Sequence, residues 1–397
     1  MLPLAGHDAV RQIRATRRIG TAGPATFQVA PYHGLAQPVL PRMTTQLTRV
    51  TQYFTKTKLD YELFWTGDRD LALHHGYYDA TARTHSAALI RMNEVLAGYA
   101  QISPHDLVLD AGCGYGGSAI WLAQHVGCSV VGINVVPFQT ERATRLAAES
   151  GVCGRASFLL ADYSQAPFGD GSFDVVWGLE SVVHAASQER FIREAARLLV
   201  PGGRLLIAEY TARESPPLSE SEEALIASGL DGWAMTKLLT PSRYTDLLLT
   251  HGFVDVRAHD LTESMRRSIT RLGKLRVPTT SVRLLLPVLE LLTAAKLNDE
   301  VRLRNIKGGY DFTRAFLMGA WRYTAIVATR RDDKVAAGST IAQAGRRPPT
   351  ARGRGGRSLA DGGHTHRLVP ESLRIVLLTP AERRDEPRRD RAARGPG

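Results

Sequence analysis

Residues 107–117 read LVLDAGCGYGG, and this stretch decides the fold. Leu107 to Ala111 is a short apolar run ending on an acid, and Tyr115 to His125 has helical spacing. Between them, Gly112, Gly114 and Gly116 permit backbone conformations that side chains disfavour. A strand entering a helix through such a turn lets backbone approach a ligand while the helix N-terminus faces it. The spacing G-x-G-x-G differs slightly from the G-x-G-x-x-G of pyrophosphate binders. A plain strand-to-helix turn without a ligand is the bland alternative.

Working outward, Ser129 to Ile133 reads as a strand and Gln139 to Ser150 as a helix. Phe158 to Ala161, Phe173 to Trp177 and Gly203 to Tyr210 continue as strands, with a helix over Gln188 to Val200 stopped by Pro201-Gly202-Gly203. This alternation predicts an α/β fold, a mostly parallel sheet with helices on both faces. After Thr211 a helix over Pro241 to Thr250, a strand over Phe253 to Ala258 and a last strand over Tyr323 to Thr329 follow. The long insertions, 211–240 and 262–315, are expected to form a helical cap.

The 50 Lys and Arg against 39 Asp and Glu give a net charge of +11. That excess sits in the flanks: residues 43–330 hold thirty of each sign. A nucleic-acid partner is not expected, because the body lacks the electrostatic footprint and no Asn-Pro-Pro-Tyr type of base pocket is present. Residues 1–42 read as a disordered extension preceding a true start at Met43, residues 43–330 as the folded domain, and 331–397 as a disordered basic tail. Cys113, Cys128 and Cys153 are too few and too unpatterned for a disulfide framework or a zinc ribbon, so no metal and a reducing, cytoplasmic setting are expected. Arg11, Arg14, Arg17 and Arg18 interrupt any apolar leader.

Three further segments follow the glycine turn in order: FLLAD ending at Asp162, PFGDGSFDVVWGLES (167–181) and LLVPGGRLLIAEY (198–210). Together the four motifs resemble the class I S-adenosylmethionine-dependent methyltransferases over about residues 50–330. A nicotinamide Rossmann domain is expected to carry a ribose-binding acid about twenty residues past its glycines, whereas the second strand here ends Gly132-Ile133-Asn134. Within the superfamily, FWTGDRDLALHHGYYD (64–79), GINVVPFQTERA (132–143) and ESVVHA (180–185) resemble the group of sterol and tocopherol C-methyltransferases, with cyclopropane-forming and isoprenoid enzymes more distant.

The resemblance implies a Rossmann-like, seven-stranded sheet with N-terminal helices and a cap inserted before the last strand. It implies S-adenosyl-L-methionine as cofactor, with Asp110, Gly112, Gly114 and Gly116 on its amino-acid and ribose side. Asn134 and Gln139 are then expected at the ribose and adenine, and Asp162 at the adenine amino group; a helix cap or turn is the structural alternative for Asp162. Glu180 and His184 are the expected catalytic pair. Glu180 suits a carbocation formed when an alkene is methylated, and His184, titrating near operating pH, suits deprotonation of an oxygen or nitrogen. Structural roles, an acceptor for Glu180 and a packed ring for His184, stand beside these. His74, His75, Tyr77 and Tyr78 are a second cluster, expected either to close the site or merely to pack.

The expected acceptor is a small, largely apolar metabolite such as an isoprenoid, with C-methylation favoured over O- or N-methylation. Residues 262–330 carry thirteen basic and five acidic side chains, with Arg266, Arg267, Arg271, Lys274 and Arg276 in one segment and Arg302, Arg304 and Lys307 in another. That surplus suggests either an anionic head group on the acceptor or contact with an anionic membrane, against the default of a solvated face.

Overall fold

The computed structural model describes residues 44–64, 72–272 and 277–332. The expected terminal extensions lie outside them, apart from Arg331 and Asp332. Two N-terminal helices, α1 (Thr45–Phe64) and α2 (His85–Tyr99), precede β1 (Leu107–Ala111). Then come α3 (Gly117–Trp121), β2 (Ser129–Asn134), α4 (Pro137–Glu149), β3 (Ala156–Leu160), β4 (Phe173–Leu179), α5 (Gln188–Leu198) and β5 (Leu199–Ala212). Every residue of β1, β2 and β4 is buried, as expected for near-continuous apolar runs in a parallel sheet covered on both faces. The covering helix α5 turns Phe191, Ile192, Ala195 and Leu198 inward, and the Ser187 side chain caps it by accepting from Arg190 N.

The rest of the chain is α6 (Glu220–Gly232), α7 (Pro241–Thr250), β6 (Phe253–Asp260), α8 (Thr262–Ile269), the two-residue strands β7 (Arg271–Leu272) and β8 (Val277–Pro278), α9 (Leu286–Ala294), α10 (Glu300–Leu317) and β9 (Trp321–Arg330). The seven-stranded sheet runs β3-β2-β1-β4-β5-β9-β6. Its first five strands pair in parallel, while β9 is antiparallel to both β5 and β6. The order reverses between β1 and β4, where Asp110 stands in register with Trp177. At such a switch point the connections leave on opposite faces and open a crevice at the carboxyl ends of the strands.

Two local readings change. The helix expected over Tyr115–His125 is α-helical only to Trp121 and continues as a π-turn, Leu122–Val126, closed by Gly127 at φ +82°. The helix expected to reach Val200 ends at Leu198, and Pro201-Gly202-Gly203 falls in a bulge of β5, where the register on β4 jumps from Phe173↔Leu199 to Val175↔Arg204. Gly202, at φ +76°, permits that excursion.

Of the insertions, α7 packs Tyr244, Leu247 and Leu248 into the sheet core, while α6, α8 and α10 form the cap. Helices α6 and α10 cross closely: a Cβ on Gly232 would stand 2.4 Å from the Arg304 carbonyl oxygen. Phe312 of α10 stacks on Trp321 of β9 at 4.4 Å, which ties the cap to the sheet. Several expected cap cations are paired: Arg266 with Glu263, Arg302 with Asp60, and Arg304 at 4.0 Å from Asp231. Arg267 lies over the Tyr78 ring; Lys274 and Arg276 lie outside the described residues.

Candidate active site

At the switch point a cavity opens, lined by the glycine turn, by α1, by the His74–His75 segment and by the turn after β4. It encloses about 1220 Å³, counting its solvent-facing mouth. Asp110, the last polar residue of β1, is buried, and its Oδ2 has no hydrogen-bond partner among the described residues. Desolvation pushes its carboxyl up to about 7. Gly112, at φ +89°, is as tight: a Cβ there would stand 2.5 Å from Ser181 Cβ. Gly114 also lines the cavity. Asn134 and Gln139 line it as a joined pair, Asn134 Nδ2 donating to Gln139 Oε1 at 2.8 Å while Asn134 Oδ1 accepts from Val135 N.

Two expected cofactor residues sit elsewhere. Gly116 caps α3 at φ +80° and is outside the lining; a Cβ there would meet Phe158 Cζ at 2.6 Å, so packing explains this glycine. Asp162 accepts from Ser164 N at 2.8 Å and caps the 3-10 turn Tyr163–Gln165, also outside the lining. That bond is the helix-cap geometry named as its structural alternative.

Glu180 and His184 both face the cavity from the turn after β4. Glu180 adopts φ +49° and its carboxylate accepts three hydrogen bonds: from His75 N at 2.8 Å, Tyr323 Oη at 2.9 Å and Tyr210 Oη at 2.6 Å. Burial raises its pKa, against the opposing pull of nearby His74 and these donors. His184 Nδ1 lies 3.2 Å from the Ala234 carbonyl. A carbonyl only accepts, so Nδ1 carries the proton and Nε2 the lone pair. Burial lowers the His184 pKa to about 4, which corrects the expectation of titration near neutrality. The second cluster divides: His74 and His75 line the cavity, whereas Tyr77 packs on the core and Tyr78 under Arg267.

Sequence comparison matches residues 109–207 to a methyltransferase domain. A probable chloroplastic tocopherol O-methyltransferase of Oryza sativa is 35% identical over 49% of this chain, and the match spans 57% of that enzyme. The 27-O-demethylrifamycin SV methyltransferase of Amycolatopsis mediterranei is 35% identical over 50% of this chain and 72% of its own length. The chain belongs to the class I S-adenosylmethionine-dependent methyltransferases. In fold it is similar to a mycolic acid cyclopropane synthase solved with S-adenosylhomocysteine, at 18% identity, TM-score 0.60, and 72% and 99% coverage of the two chains.

The methyltransferase's own residues fit that cofactor. An orphaned carboxylate oxygen on Asp110 and the Gly112 backbone, which has no room for a Cβ, form a close-fitting cradle, and among the described residues the lining contains carboxylates but no Lys or Arg. Asp110, Gly112, Gly114, Asn134 and Gln139 line the cavity and would hold it. When bound, S-adenosylmethionine supplies an electrophilic methyl on a sulfonium. A cationic ligand suits carboxyls that burial has left short of positive charge.

Sequence reading missed the walls. Tyr53 and Tyr61 bond hydroxyl to hydroxyl at 2.8 Å, and with Phe54, Tyr210, Trp233 and Met235 they make the cavity apolar and aromatic. It also missed Glu209 of β5, fully buried, whose Oε1 accepts from Val183 N at 3.2 Å beneath the turn that carries Glu180 and His184. Its signal was present: an acid inside the apolar run LLIAEY has no reason to be there unless something uses it.

Proposed function

We propose that this methyltransferase transfers a methyl group to a hydroxyl of a small, largely apolar, ring-bearing acceptor. One observation carries the reading: His184 lines the cavity and is held through Nδ1 by the Ala234 carbonyl, which leaves Nε2 as the ring's basic nitrogen. The hydroxyl proton would pass to Nε2 as the methyl moves from sulfur to oxygen, the electron pair of the broken sulfur–methyl bond staying on the departing thioether, and the packed aromatic walls would exclude water. Glu180 suits this role less, because three donors already share its carboxylate. C-methylation, favoured on sequence grounds, would need that charge held free for a cation. Among the described residues no Lys or Arg lines the cavity, which gives an anionic head group no cation there.

The test combines kinetics with product analysis on a panel of phenols, polyketide alcohols and prenyl compounds. His184→Ala should lower kcat about a hundredfold with cofactor affinity unchanged, and Glu180→Gln should lower it less. In the parent enzyme, at saturating cofactor, kcat should fall as pH drops toward 4, where His184 protonates. A product labelled on carbon, or a greater loss in Glu180→Gln than in His184→Ala, would return the reaction to C-methylation.

A further inference from the structure

The run Arg283 to Leu297, RLLLPVLELLTAAKL, is apolar, yet no residue of α9 is buried. Leu284, Leu291 and Leu297 are 81%, 70% and 76% exposed, and Leu285 and Val288 more than half exposed. An apolar helix left in water in this way is ordinarily covered by something. Within α9, at 100° per residue, Val288 and Leu291 share one face and the run's only acid, Glu290, lies roughly 130° around the helix from it, while Leu284 ends the 3-10 turn Thr279–Leu284 just before the helix. On α1, Leu59 and Leu63 are exposed beside Lys56, whose Nζ bonds Asp299 at the start of α10, so the exposed leucines extend to the helix that lines the cavity.

Charge identifies what covers the face. Residues 43–261 hold 17 basic and 25 acidic side chains, whereas 262–330 hold thirteen and five. The apolar run thus sits in the cationic part of a neutral body. Arg283 and Lys296 bracket it, are exposed, and have no acidic partner among the described residues; the same holds for Arg271 and Lys307. A protein surface complementary to this face would need apolar and acidic patches in matching register. An anionic bilayer supplies both with no register at all, because leucines enter the acyl boundary while Arg and Lys reach the phosphates. No helix among the described residues is long and apolar enough to cross a membrane, so the contact lies in the interface plane.

We propose that α9 and its flanks, with Leu284, Val288, Leu291 and Leu297 inserted and Arg283 and Lys296 at the phosphates, dock the enzyme on anionic lipid, the solvent of an apolar acceptor. The docking does not depend on which acceptor atom is methylated, since lipid binding is read without acceptor present.

The full chain is sedimented with phosphatidylcholine vesicles with and without phosphatidylglycerol. Binding should require the anionic lipid and weaken with salt. The double variant Leu284→Ser, Leu291→Ser should reduce partitioning at least about tenfold, and Arg283→Ala or Lys296→Ala about fivefold each. These side chains are exposed, so a circular dichroism melt should be unchanged and methyl transfer to a water-soluble acceptor normal. No binding to anionic vesicles, or equal binding by the leucine variant, overturns the proposal. A self-associating parent that becomes monomeric in the leucine variant without lipid binding assigns the face to a second copy and overturns it as well.

Discussion

The carboxyl edge of the sheet and the cap face each other across one cavity, yet they are built on different rules. At the edge, geometry is local: β1 leads directly into the Gly112 turn, and Asp110, Gly112 and Gly114 lie within five residues. In the cap it is remote: Tyr53 of α1 donates to Asn305 of α10, 252 residues away, and Arg49 reaches the Asp231 carboxylate. Local geometry is fixed by backbone chemistry and tolerates little change, whereas remote geometry is fixed by packing and can be retuned. This difference lets one cofactor cradle serve many acceptors.

Two glycines put that contrast to its hardest test. Gly112→Val adds a side chain at φ +89° into Ser181, so cofactor affinity should fall roughly a hundredfold or more and stability by several kcal/mol. Gly232→Val presses on a backbone carbonyl of α10 and should cost about 1–3 kcal/mol by parting α6 from α10. Calorimetry with S-adenosylhomocysteine separates them: Gly232→Val should keep cofactor affinity while the acceptor KM rises. If both variants lose cofactor alike, the two halves are one unit.

The second test uses pH. Burial raises Glu209 from 4.5 to about 8 and Asp110 from 3.8 to about 7, so the folded state holds their protons more tightly. Stability from these two carboxyls is full below their unfolded values and is lost as pH rises toward 8. The cavity histidines have the opposite sign: His184, lowered to about 4, and His75, to about 3, lose stability as pH falls below 6.5. Between pH 6.5 and 8 only the carboxyls should act. The melting temperature should therefore fall across that window, Glu209 contributing on the order of 2 kcal/mol. Glu209→Gln should flatten its share, and S-adenosylhomocysteine, whose ammonium favours ionised Asp110, should flatten the other. A level parent profile from 6.5 to 8 would show that neither carboxyl is raised.

This division also explains what the sequence made legible. Strand β1, the Asp110–Gly112–Gly114 turn, the Asn134–Gln139 pair and the Glu180–His184 turn each announce themselves within a few residues, because one backbone shape demands them. Gly116 in the same turn and Asp162 at the end of FLLAD are announced as locally, yet one packs and the other caps, and composition cannot separate a glycine that admits a ligand from one that admits Phe158. The cap's cations read as two clusters in excess of acid, yet Arg266, Arg302 and Arg322 turn out paired with Glu263, Asp60 and Asp260. Two of these partners lie outside the cap segment, and nothing at Arg302 indicates Asp60. Gly232 was silent for the same reason, since a helix crossing exists only once both helices are placed.

The smallest expected effect tests the seam itself. Arg302 of α10 donates through Nε to Asp60 Oδ1 of α1 at 3.1 Å, and Asn305 Nδ2 reaches Asp60 Oδ2 at 3.4 Å. The Asp60 side chain is only 8% exposed and that of Arg302 34%, so the pair is half screened. Removing the cation in Arg302→Ala leaves a mostly buried carboxylate with Asn305 as its remaining side-chain partner among the described residues, at a cost of about 1–2 kcal/mol. Because α1 supplies Tyr53, Phe54 and Tyr61 to the cavity wall, a looser α1 should raise the acceptor KM a few-fold. The cofactor constant should stay put, since Asp110 and Gly112 sit on the sheet side. Asp60→Asn separates charge from hydrogen bonding: it keeps an acceptor for Arg302 without burying a charge, so it should destabilise less than Arg302→Ala. Should Arg302→Ala instead weaken the cofactor as much as the acceptor, α1 would belong to the cradle, and the boundary between the fixed and the retunable half would lie on the cap side of it.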